Sequence, residues 1–429
     1  MKFQQNAAVQ ILNGRPQPAA GLPIGLFHPV FDRFRELVDS TKFDATREQL
    51  SSTLSLIQAS QDLYALEGGE KGRTTAILPL LNSILDCSIS ATDIPRNDCK
   101  SDGTVQTRNG AYVLVVEVKN EIGTGETDPS VRGAIAYAKY WGQSQNEWLR
   151  FQSCCPSFIL AIAGPWMCIL GGIMLEHPVV QPLTPFLPFA NNPSSVLCPG
   201  TIAKTLAALA QSLNMLDGFY GNFLRSGGLD PTRFFPYVQH FTRDGQRVDI
   251  HYRIRFPGKT VFRAQARPSI GDPYPIVVKF TESYNAGAHR LLEKDKLAPQ
   301  LFFVSSEEPN NQRFAERIMV VMGEVVGRDS EGAPVDELVR NDVLRALNIL
   351  HGKQLVFGDL RRPNIMTVED GKGGVIGGML VDFDWCGVVG QARYPSDINL
   401  AIEWPEGVGP GLVIRPEHDR DMYQKLRYN

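Results

Sequence analysis

The sequence has no marked excess of either charge and no low-complexity segment. Its 43 Lys and Arg residues and 46 Asp and Glu residues give a formal net charge of −3 at pH 7. Overall charge therefore does not indicate a nucleic-acid-binding protein, although a local patch can still bind. The seven cysteines are odd in number and lack the spacing of metal ligands, which favours a protein of a reducing compartment.

The sequence also lacks the features of export and of membrane insertion. No basic segment leads into an apolar run within the first thirty residues, so no signal peptide is predicted. The uncharged hydrophobic run 157–175 is barely long enough to cross a bilayer, and Gly164-Pro165 and Gly171-Gly172 interrupt it. We therefore expect two buried strands there, no membrane partner, and an intracellular protein of the cytoplasm or nucleus.

Changes in composition predict the domain organisation. An irregular and helical lead-in, 1–60, precedes an α/β region, 61–200, that contains a hydrophobic strand. An amphipathic helix with a glycine pair behind it occupies 201–230 and is predicted to link two domains. The last region, 231–429, begins with strands, and its residues 248–256 alternate between apolar and polar as in a half-buried strand.

The last region carries polar residues in an order that suits phosphoryl transfer. Lys279 ends a β-branched strand and is followed by a helix predicted over 286–297. Asp359 stands five residues before Asn364, and Asp382 follows another apolar strand. Transfer of a phosphoryl group needs a cation on the nucleotide phosphates, a carboxylate that orients the acceptor, and oxygen ligands for magnesium. Lys279 would hold the phosphates and Asp359 the acceptor. Asn364 and Asp382 would hold the metal, with ATP and Mg²⁺ (or Mn²⁺) as cofactors.

The motifs around these residues resemble a known family. The segments LVFGDLRRPNIM, MLVDFDW and RYPSDINLAIEWPEGVGPG are similar to motifs of the protein-kinase-like proteins abundant in mushroom-forming fungi. The resemblance covers about residues 235–425. It implies an α+β bilobal protein-kinase-like domain with a shortened C-terminal lobe, because few residues follow Asp382. It also implies that serine or threonine is phosphorylated, in a protein substrate or in the chain itself.

The sequence departs from the general protein-kinase pattern at four points. Phe357-Gly358 replaces the His-Arg of the catalytic loop, and Asp384 replaces the glycine of the Asp-Phe-Gly motif. No glycine-rich loop precedes Lys279. The helix after the lysine strand has Gly287 where relatives typically carry a glutamate. Either Glu293, about two turns further along this helix, pairs with Lys279, or the nucleotide alone holds the lysine.

A second constellation lies in the α/β region. Glu117 and Lys119 are two residues apart at the end of an apolar strand, so their side chains share one face. Asp102 comes from the strand before. Two carboxylates can hold a divalent ion that polarises a phosphodiester, while a lysine positions or activates water. Glu70, or Glu67, would add a further acid from the preceding helix.

This second pattern resembles the PD-(D/E)XK nuclease superfamily, and its fusion to a kinase-like domain resembles Crinkler-type proteins of fungi and oomycetes. The resemblance covers about residues 60–180 and implies an α/β restriction-endonuclease-like sheet domain with DNA as a partner. Three functions follow as hypotheses. The chain is a phosphotransferase coupled to a nuclease-like domain, or a metal-dependent DNA endonuclease regulated by the kinase-like domain, or a non-catalytic toxin-like or scaffold protein.

Overall fold

The fold is described from a computed structural model. It covers residues 10–15, 19–62, 69–94, 99–123, 128–190, 198–225, 228–330 and 335–426. The chain divides into two compact units, Met1–Val238 and Gln239–Asn429. Within the covered ranges, no helix combines the length and the apolar character needed to cross a membrane.

The first unit contains helices and one mixed sheet. Its helices and strands are, in chain order, α1 (Val30–Asp39), α2 (Arg47–Gln61), α3 (Gly69–Leu85), β1 (Ser90–Ile94), β2 (Cys99–Gln106), β3 (Tyr112–Lys119), α4 (Pro129–Trp141), α5 (Glu147–Gln152), β4 (Ser157–Ala163), β5 (Trp166–Met174), β6 (Pro178–Pro182), β7 (Leu187–Pro188) and α6 (Cys198–Gly221).

The seven-stranded sheet follows the order β1-β2-β3-β4-β5-β6, and β7 pairs with β5. Strands β3 and β4 are parallel, whereas the other neighbouring pairs are antiparallel. A parallel pair needs a crossover connection, and α4 provides it. This helix packs on β3 and β4, so it covers the strand that carries Glu117 and Lys119.

The hydrophobic run 157–175 forms strands β4 and β5, as the sequence predicted. Every residue of β4 is buried, and the two strands pair in antiparallel register. Gly164 has a φ of 55° at the turn between them, a conformation that favours glycine. The run therefore supplies two interior strands of the sheet.

The helix expected to link two domains is part of the first unit. Helix α6 contacts α1, α2, α3 and β3. It buries an apolar stripe at the spacing of one helix face, made of Leu206, Leu209, Leu213, Leu216 and Tyr220. Because this stripe is covered by the neighbouring helices, the segments predicted as 1–60, 61–200 and 201–230 fall within one compact unit, and the division of the chain follows Val238.

The second unit contains mainly antiparallel strands and three helices in its described part. Its elements are β8 (His240–Arg243), β9 (Gln246–Arg255), β10 (Val261–Pro268), β11 (Tyr274–Thr281), α7 (Ala286–Glu293), β12 (Leu301–Val304), β13 (Ile318–Gly323), β14 (Gly327–Asp329), α8 (Glu337–Gly352), β15 (Leu355–Val356), β16 (Ile365–Glu369), β17 (Val375–Leu380), β18 (Gly387–Val388) and α9 (Pro416–Lys425).

The largest sheet of this unit has the order β12-β13-β11-β10-β9-β8. Its neighbouring strands are all antiparallel. Two smaller sheets, β14-β16-β17 and β15-β18, form the remainder of its strands in the described ranges. Helix α8 packs on β17 and α7 on β12. The unit thus has an antiparallel sheet in its first part and helices with short hairpins in its second.

The alternation predicted over 248–256 holds only in the first half of β9. Val248 and Ile250 are buried, whereas Ile254 is 50% exposed. The register between β9 and β10 shifts between Arg263 and Ala264, so a bulge interrupts the period of two and turns Ile254 out of the core.

Candidate functional site

Lys279 lies in an interior strand of the six-stranded sheet. It is opposite Val261 of β10 and Val320 of β13 in the register of the sheet. The β-branched residues before it suit a central strand. Its side chain is only 10% exposed. A buried ammonium group needs a charged or hydrogen-bonding partner. The residues that pair with Lys279 therefore identify the candidate site.

Two carboxylates share this lysine. Its Nζ lies 2.6 Å from Oδ1 of Asp382 and 2.8 Å from Oδ2 of Asp384. Helix α7 ends at Glu293, and in the described part of the chain the ion pairs of Lys279 are with these two aspartates and not with that glutamate. The structure therefore brings together Lys279 and Asp382, which the sequence singled out, and adds Asp384. The signal for Asp384 was its place in the motif, where most kinases have glycine.

The loop that carries both aspartates is fixed by several hydrogen bonds. Oγ1 of Thr281 donates to Oδ2 of Asp384 over 2.6 Å. Oγ of Ser283 donates to the Asp384 carbonyl over 2.7 Å. Asp382 has a φ of 73°, in the left-handed region that few residues other than glycine adopt and that aspartate tolerates better than most. Such a conformation persists only where surrounding contacts hold it.

The two carboxylates have opposite pKa shifts. Burial raises the pKa of Asp384 to about 6, and neighbouring Asp382 adds to this rise while Lys279 opposes it. For Asp382, burial would raise the pKa, but the charge and hydrogen bond of Lys279 outweigh burial and lower it. The cluster therefore has one readily ionised carboxylate and one that takes up a proton more easily.

Asp359 and Asn364 lie in a short loop that ends in a turn of 3₁₀ helix, Arg362–Asn364. Nδ2 of Asn364 donates to Oδ2 of Asp359 over 2.7 Å and to its carbonyl over 2.9 Å. Arg361 donates to both carboxylate oxygens of Asp359, through Nε to Oδ1 and through Nη2 to Oδ2. The Val381 amide donates to the Asn364 carbonyl over 3.0 Å. This last bond places the Asp359 loop directly beside the segment of Asp382 and Asp384.

A buried aspartate of helix α9, Asp419, holds the backbone of Phe357 and Gly358, just before Asp359. Oδ1 of Asp419 accepts from the Gly358 amide over 2.8 Å, and Oδ2 accepts from the Phe357 amide over 2.9 Å. Nε2 of His351 also lies 2.9 Å from Oδ2. Gly358 has a φ of 84°, and a Cβ there would come within 2.9 Å of Ile414. Asp419 could not be predicted from local sequence patterns, because its role depends on a contact between distant segments.

A cavity of about 600 Å³ opens beside this cluster. It is lined by polar and aromatic side chains, among them Arg361, Asp384, Trp385, Arg393 and Trp404. The guanidinium of Arg361 lies 5.3 Å from the ring of Trp404 and 6.0 Å from that of Trp385. Arg361 thus separates the cavity from Asp359, which is itself buried.

The donor set of the cluster suits a divalent cation. Magnesium prefers oxygen ligands, and Asp382, Asp384 and Asn364 carry such atoms. Oδ1 of Asp384 is buried and has no hydrogen-bond donor among the described residues.

The second constellation is buried within the first unit. Glu117 is fully buried, and its Oε2 lies 3.0 Å from Nε of Arg132 on α4. Lys119 is 5% exposed. Oδ2 of Asp102 accepts from the Val118 amide over 2.8 Å. The strands therefore bring Asp102 to the strand end that carries Glu117 and Lys119.

The remaining predicted acids of this region are described only in part. Glu67 lies outside the described residues, and for Glu70 the description is limited to its backbone position on α3. Within the described ranges of both units, no group of three or more His, Cys, Asp or Glu side chains is arranged to hold a metal ion, so the donor set in the second unit consists of two carboxylates and the Asn364 amide.

Comparison of the chain with protein-family models and with curated proteins finds no match. The functional argument therefore depends on the geometry of the two units.

We expect the stability of the second unit to depend on pH through His289. Its ring is fully buried, is stacked on Phe383, and is hydrogen-bonded to the Tyr284 hydroxyl and the Pro299 carbonyl. Burial lowers its pKa from 6.5 to about 4, so the unfolded chain takes up the proton first. We expect the free energy of unfolding to fall as the pH drops from 6.5 towards 4, by about 3 kcal/mol in the limit.

Urea unfolding at pH 7, 5 and 4 measures this dependence. His289→Gln keeps a donor and an acceptor but does not titrate, so its stability should vary less with pH than that of the parent. His240→Gln, at an exposed position of β8, is the matched control and should follow the parent. A His289→Gln variant with the full pH dependence of the parent would contradict the assignment.

Proposed function

We propose that the second unit binds ATP with a divalent cation and transfers a phosphoryl group to a hydroxyl acceptor. The observation that carries the proposal is the convergence of Lys279, the Asp382–Asp384 segment and the Asp359–Asn364 loop in one unit. Phosphoryl transfer depends mainly on positioning and electrostatic stabilisation, and these groups supply both. We propose a bilobal protein-kinase-like fold for this unit, supported by the antiparallel sheet that contains Lys279 and by helix α7, which follows the lysine strand.

Each residue has a role that its surroundings support. Lys279, on interior strand β11, would neutralise negative charge on the nucleotide phosphates. Asp382 and Asn364 would hold the cation, which when bound neutralises charge on the transferred group. Asp359 would accept a hydrogen bond from the acceptor hydroxyl once Arg361 releases its carboxylate. Arg361 would then face the transferred phosphoryl group.

The acceptor would enter through the cavity beside Arg361. Its volume is within the range of binding sites for small ligands or for a single side chain of a protein. We propose serine or threonine hydroxyls, of a protein substrate or of the chain itself, inside the cell. The alternative of a non-catalytic scaffold predicts no transfer and no dependence of nucleotide binding on Asp382.

The alternative of a metal-dependent nuclease is weaker on the geometry of the first unit. The guanidinium of Arg132 already contacts Oε2 of Glu117, and Oδ2 of Asp102 already accepts a backbone hydrogen bond, so one oxygen of each carboxylate is engaged. The meeting of Asp102, Glu117 and Lys119 at one end of the sheet is the observation in its favour. DNA therefore stays a proposed partner of this unit.

Asp382→Ala tests the proposal. We expect ATP with Mg²⁺ to raise the melting temperature of the parent, because a ligand that binds only the folded state stabilises it. In Asp382→Ala this Mg²⁺-dependent rise should be lost while the unliganded chain stays folded. The titration should extend to millimolar ATP, because the turn between β9 and β10 offers one glycine, Gly258, and binding on the order of −5 kcal/mol is expected.

The exposed Asp295→Ala, in the turn after α7, is the matched control and should respond like the parent. Equal Mg²⁺-dependent shifts in Asp382→Ala and the parent would exclude the metal role. The same scan with duplex DNA in place of ATP separates the functions, because stabilisation by DNA alone favours the nuclease hypothesis.

A further inference from the structure

Among the described contacts, the lysine of the proposed nucleotide site pairs with no carboxylate of the helix that follows it. Gly287 of α7 has no side chain, and a Cβ built there would meet only Oδ1 of Asn285, at 3.5 Å. The missing carboxylate at this position is therefore not explained by lack of space. Glu293 stands at the far end of the helix and is not an ion-pair partner of Lys279 among the described contacts. The partner of the lysine comes from elsewhere.

We propose that Asp384 is the positioning residue that holds Lys279 in place of a helix carboxylate and so leaves Asp382 available to the cation. This inference rests on the proposed function for its second half. Its first half, the dependence of Lys279 on Asp384, concerns the chain without any ligand.

The surroundings of Asp384 suit a fixed counter-ion. Its Oδ2 contacts both Nζ of Lys279, at 2.8 Å, and Oγ1 of Thr281, at 2.6 Å. Thr281 is two residues after Lys279 in β11, so both side chains project from the same face of the strand. The Ser283 hydroxyl holds the Asp384 carbonyl, and Nδ2 of Asn285 donates to the Cys386 carbonyl over 3.2 Å. Asp384 is thus tied on both sides to the segment that carries the lysine.

Two carboxylates beside one lysine can have different roles. Nζ of Lys279 contacts both carboxylates, 2.6 Å from Oδ1 of Asp382 and 2.8 Å from Oδ2 of Asp384. If Asp382 were the sole counter-ion, its carboxylate would be engaged by the lysine and less able to bind a cation. A second aspartate allows one carboxylate to neutralise the ammonium group while the other turns to the metal. The aspartate at the position of the usual glycine therefore replaces the absent helix carboxylate.

The first test needs no nucleotide. The ligand-free chain is acetylated with N-acetoxysuccinimide at pH 9, and mass spectrometry of the peptide that carries Lys279 gives the rate at that lysine. Only the neutral amine reacts. Removing one of two nearby negative charges in Asp384→Asn lowers the pKa of Lys279, so we expect acetylation about tenfold faster than in the parent.

Three further variants make this test specific. Glu293→Gln is the matched control on α7 and should acetylate at the parental rate. Asp384→Glu keeps the charge and should restore most of the protection. Thr281→Val removes the hydroxyl that donates to Asp384 and should give an acetylation rate between those of the parent and Asp384→Asn. This variant also tests the inference if Asp384→Asn fails to fold. Parental rates in both Asp384→Asn and Thr281→Val would overturn the inference.

The second test compares ATP binding with and without Mg²⁺ by calorimetry. Asp384→Asn removes a negative charge beside the phosphates, so metal-free ATP should bind a few-fold more tightly. The factor by which Mg²⁺ enhances ATP binding should fall about tenfold, because Asp382 is then the sole counter-ion of Lys279. A merely structural defect would weaken both measurements together, and that outcome would count against the inference. If the parent binds no ATP, the proposed function fails, while the acetylation rates still decide the role of Asp384.

Discussion

Asp359→Asn should lower the rate of phosphoryl transfer by about 10²–10⁴ while leaving ATP affinity near that of the parent. Asn364 and Arg361 fix the Asp359 carboxylate from two sides, so its position is set before any acceptor arrives. An amide of the same shape keeps one oxygen for these donors but has no negative charge with which to receive a proton. The loss should therefore appear in kcat and not in nucleotide binding.

The measurement is transfer of the γ-phosphate from labelled ATP to the chain itself and to a general protein acceptor, at saturating Mg²⁺. Asp295→Asn, at an exposed position outside the cluster, is the control and should keep the parental rate. If Asp359→Asn transfers phosphate as fast as the parent, this residue does not orient the acceptor. If neither protein transfers phosphate but both bind ATP, the scaffold hypothesis gains support.

Asp419→Ala should destabilise the second unit by about 3–5 kcal/mol. The carboxylate is fully buried and accepts from two backbone amides, those of Phe357 and Gly358, and lies beside His351. Removing it leaves two buried donors without an acceptor, and the cost of each is comparable with a lost hydrogen bond to a charged group. Asp421→Ala on the same helix removes an exposed carboxylate and should change stability by no more than about 0.5 kcal/mol.

Urea unfolding of the two variants gives the global effect. Hydrogen exchange gives the local one, because the amides of Phe357 and Gly358 should lose protection in Asp419→Ala and keep it in Asp421→Ala. Similar stabilities for the two variants would mean that Asp419 does not anchor the loop. A loss of stability without faster exchange at these amides would place the effect elsewhere in α9.

Sequence patterns predicted the strands better than the ends of helices. The hydrophobic strand predicted to end in Glu117 and Lys119 is β3, Tyr112–Lys119, because the apolar run before Glu117 is rich in β-branched valine and favours a strand. The helix predicted over 286–297 ends at Glu293. Lys296 there has a φ of 60°, and Leu297 is buried in a turn after the helix. Apolar residues continue the helical spacing past Glu293, so the pattern cannot show where the backbone leaves the helix.

The residues of the candidate site also differ in whether the sequence could predict them. Order and spacing in the sequence predicted four residues of the site: Lys279, Asp359, Asn364 and Asp382. Each belongs to a short motif that lies at the end of a strand or in a loop. Asp384 and Asp419 were not assigned roles. Their partners, Lys279 and the Phe357–Gly358 backbone, lie far away in the chain, and only the folded arrangement joins them. Local patterns carry information about backbone form, whereas ion pairs between distant segments depend on packing.

The anchor at Asp419 also affects the order of events during synthesis. The loop that carries Asp359 is held by a side chain made some sixty residues later, since 62 positions separate Phe357 from Asp419. Until that residue has left the ribosome, the loop has neither its acceptor for two amides nor its fixed shape. Strand pairing in the six-stranded sheet can already proceed, because all its strands end by Gly323. A nascent chain would therefore complete its six-stranded sheet well before the Asp359 loop takes its fixed shape. On the proposed function, it would transfer no phosphate until Asp419 has emerged.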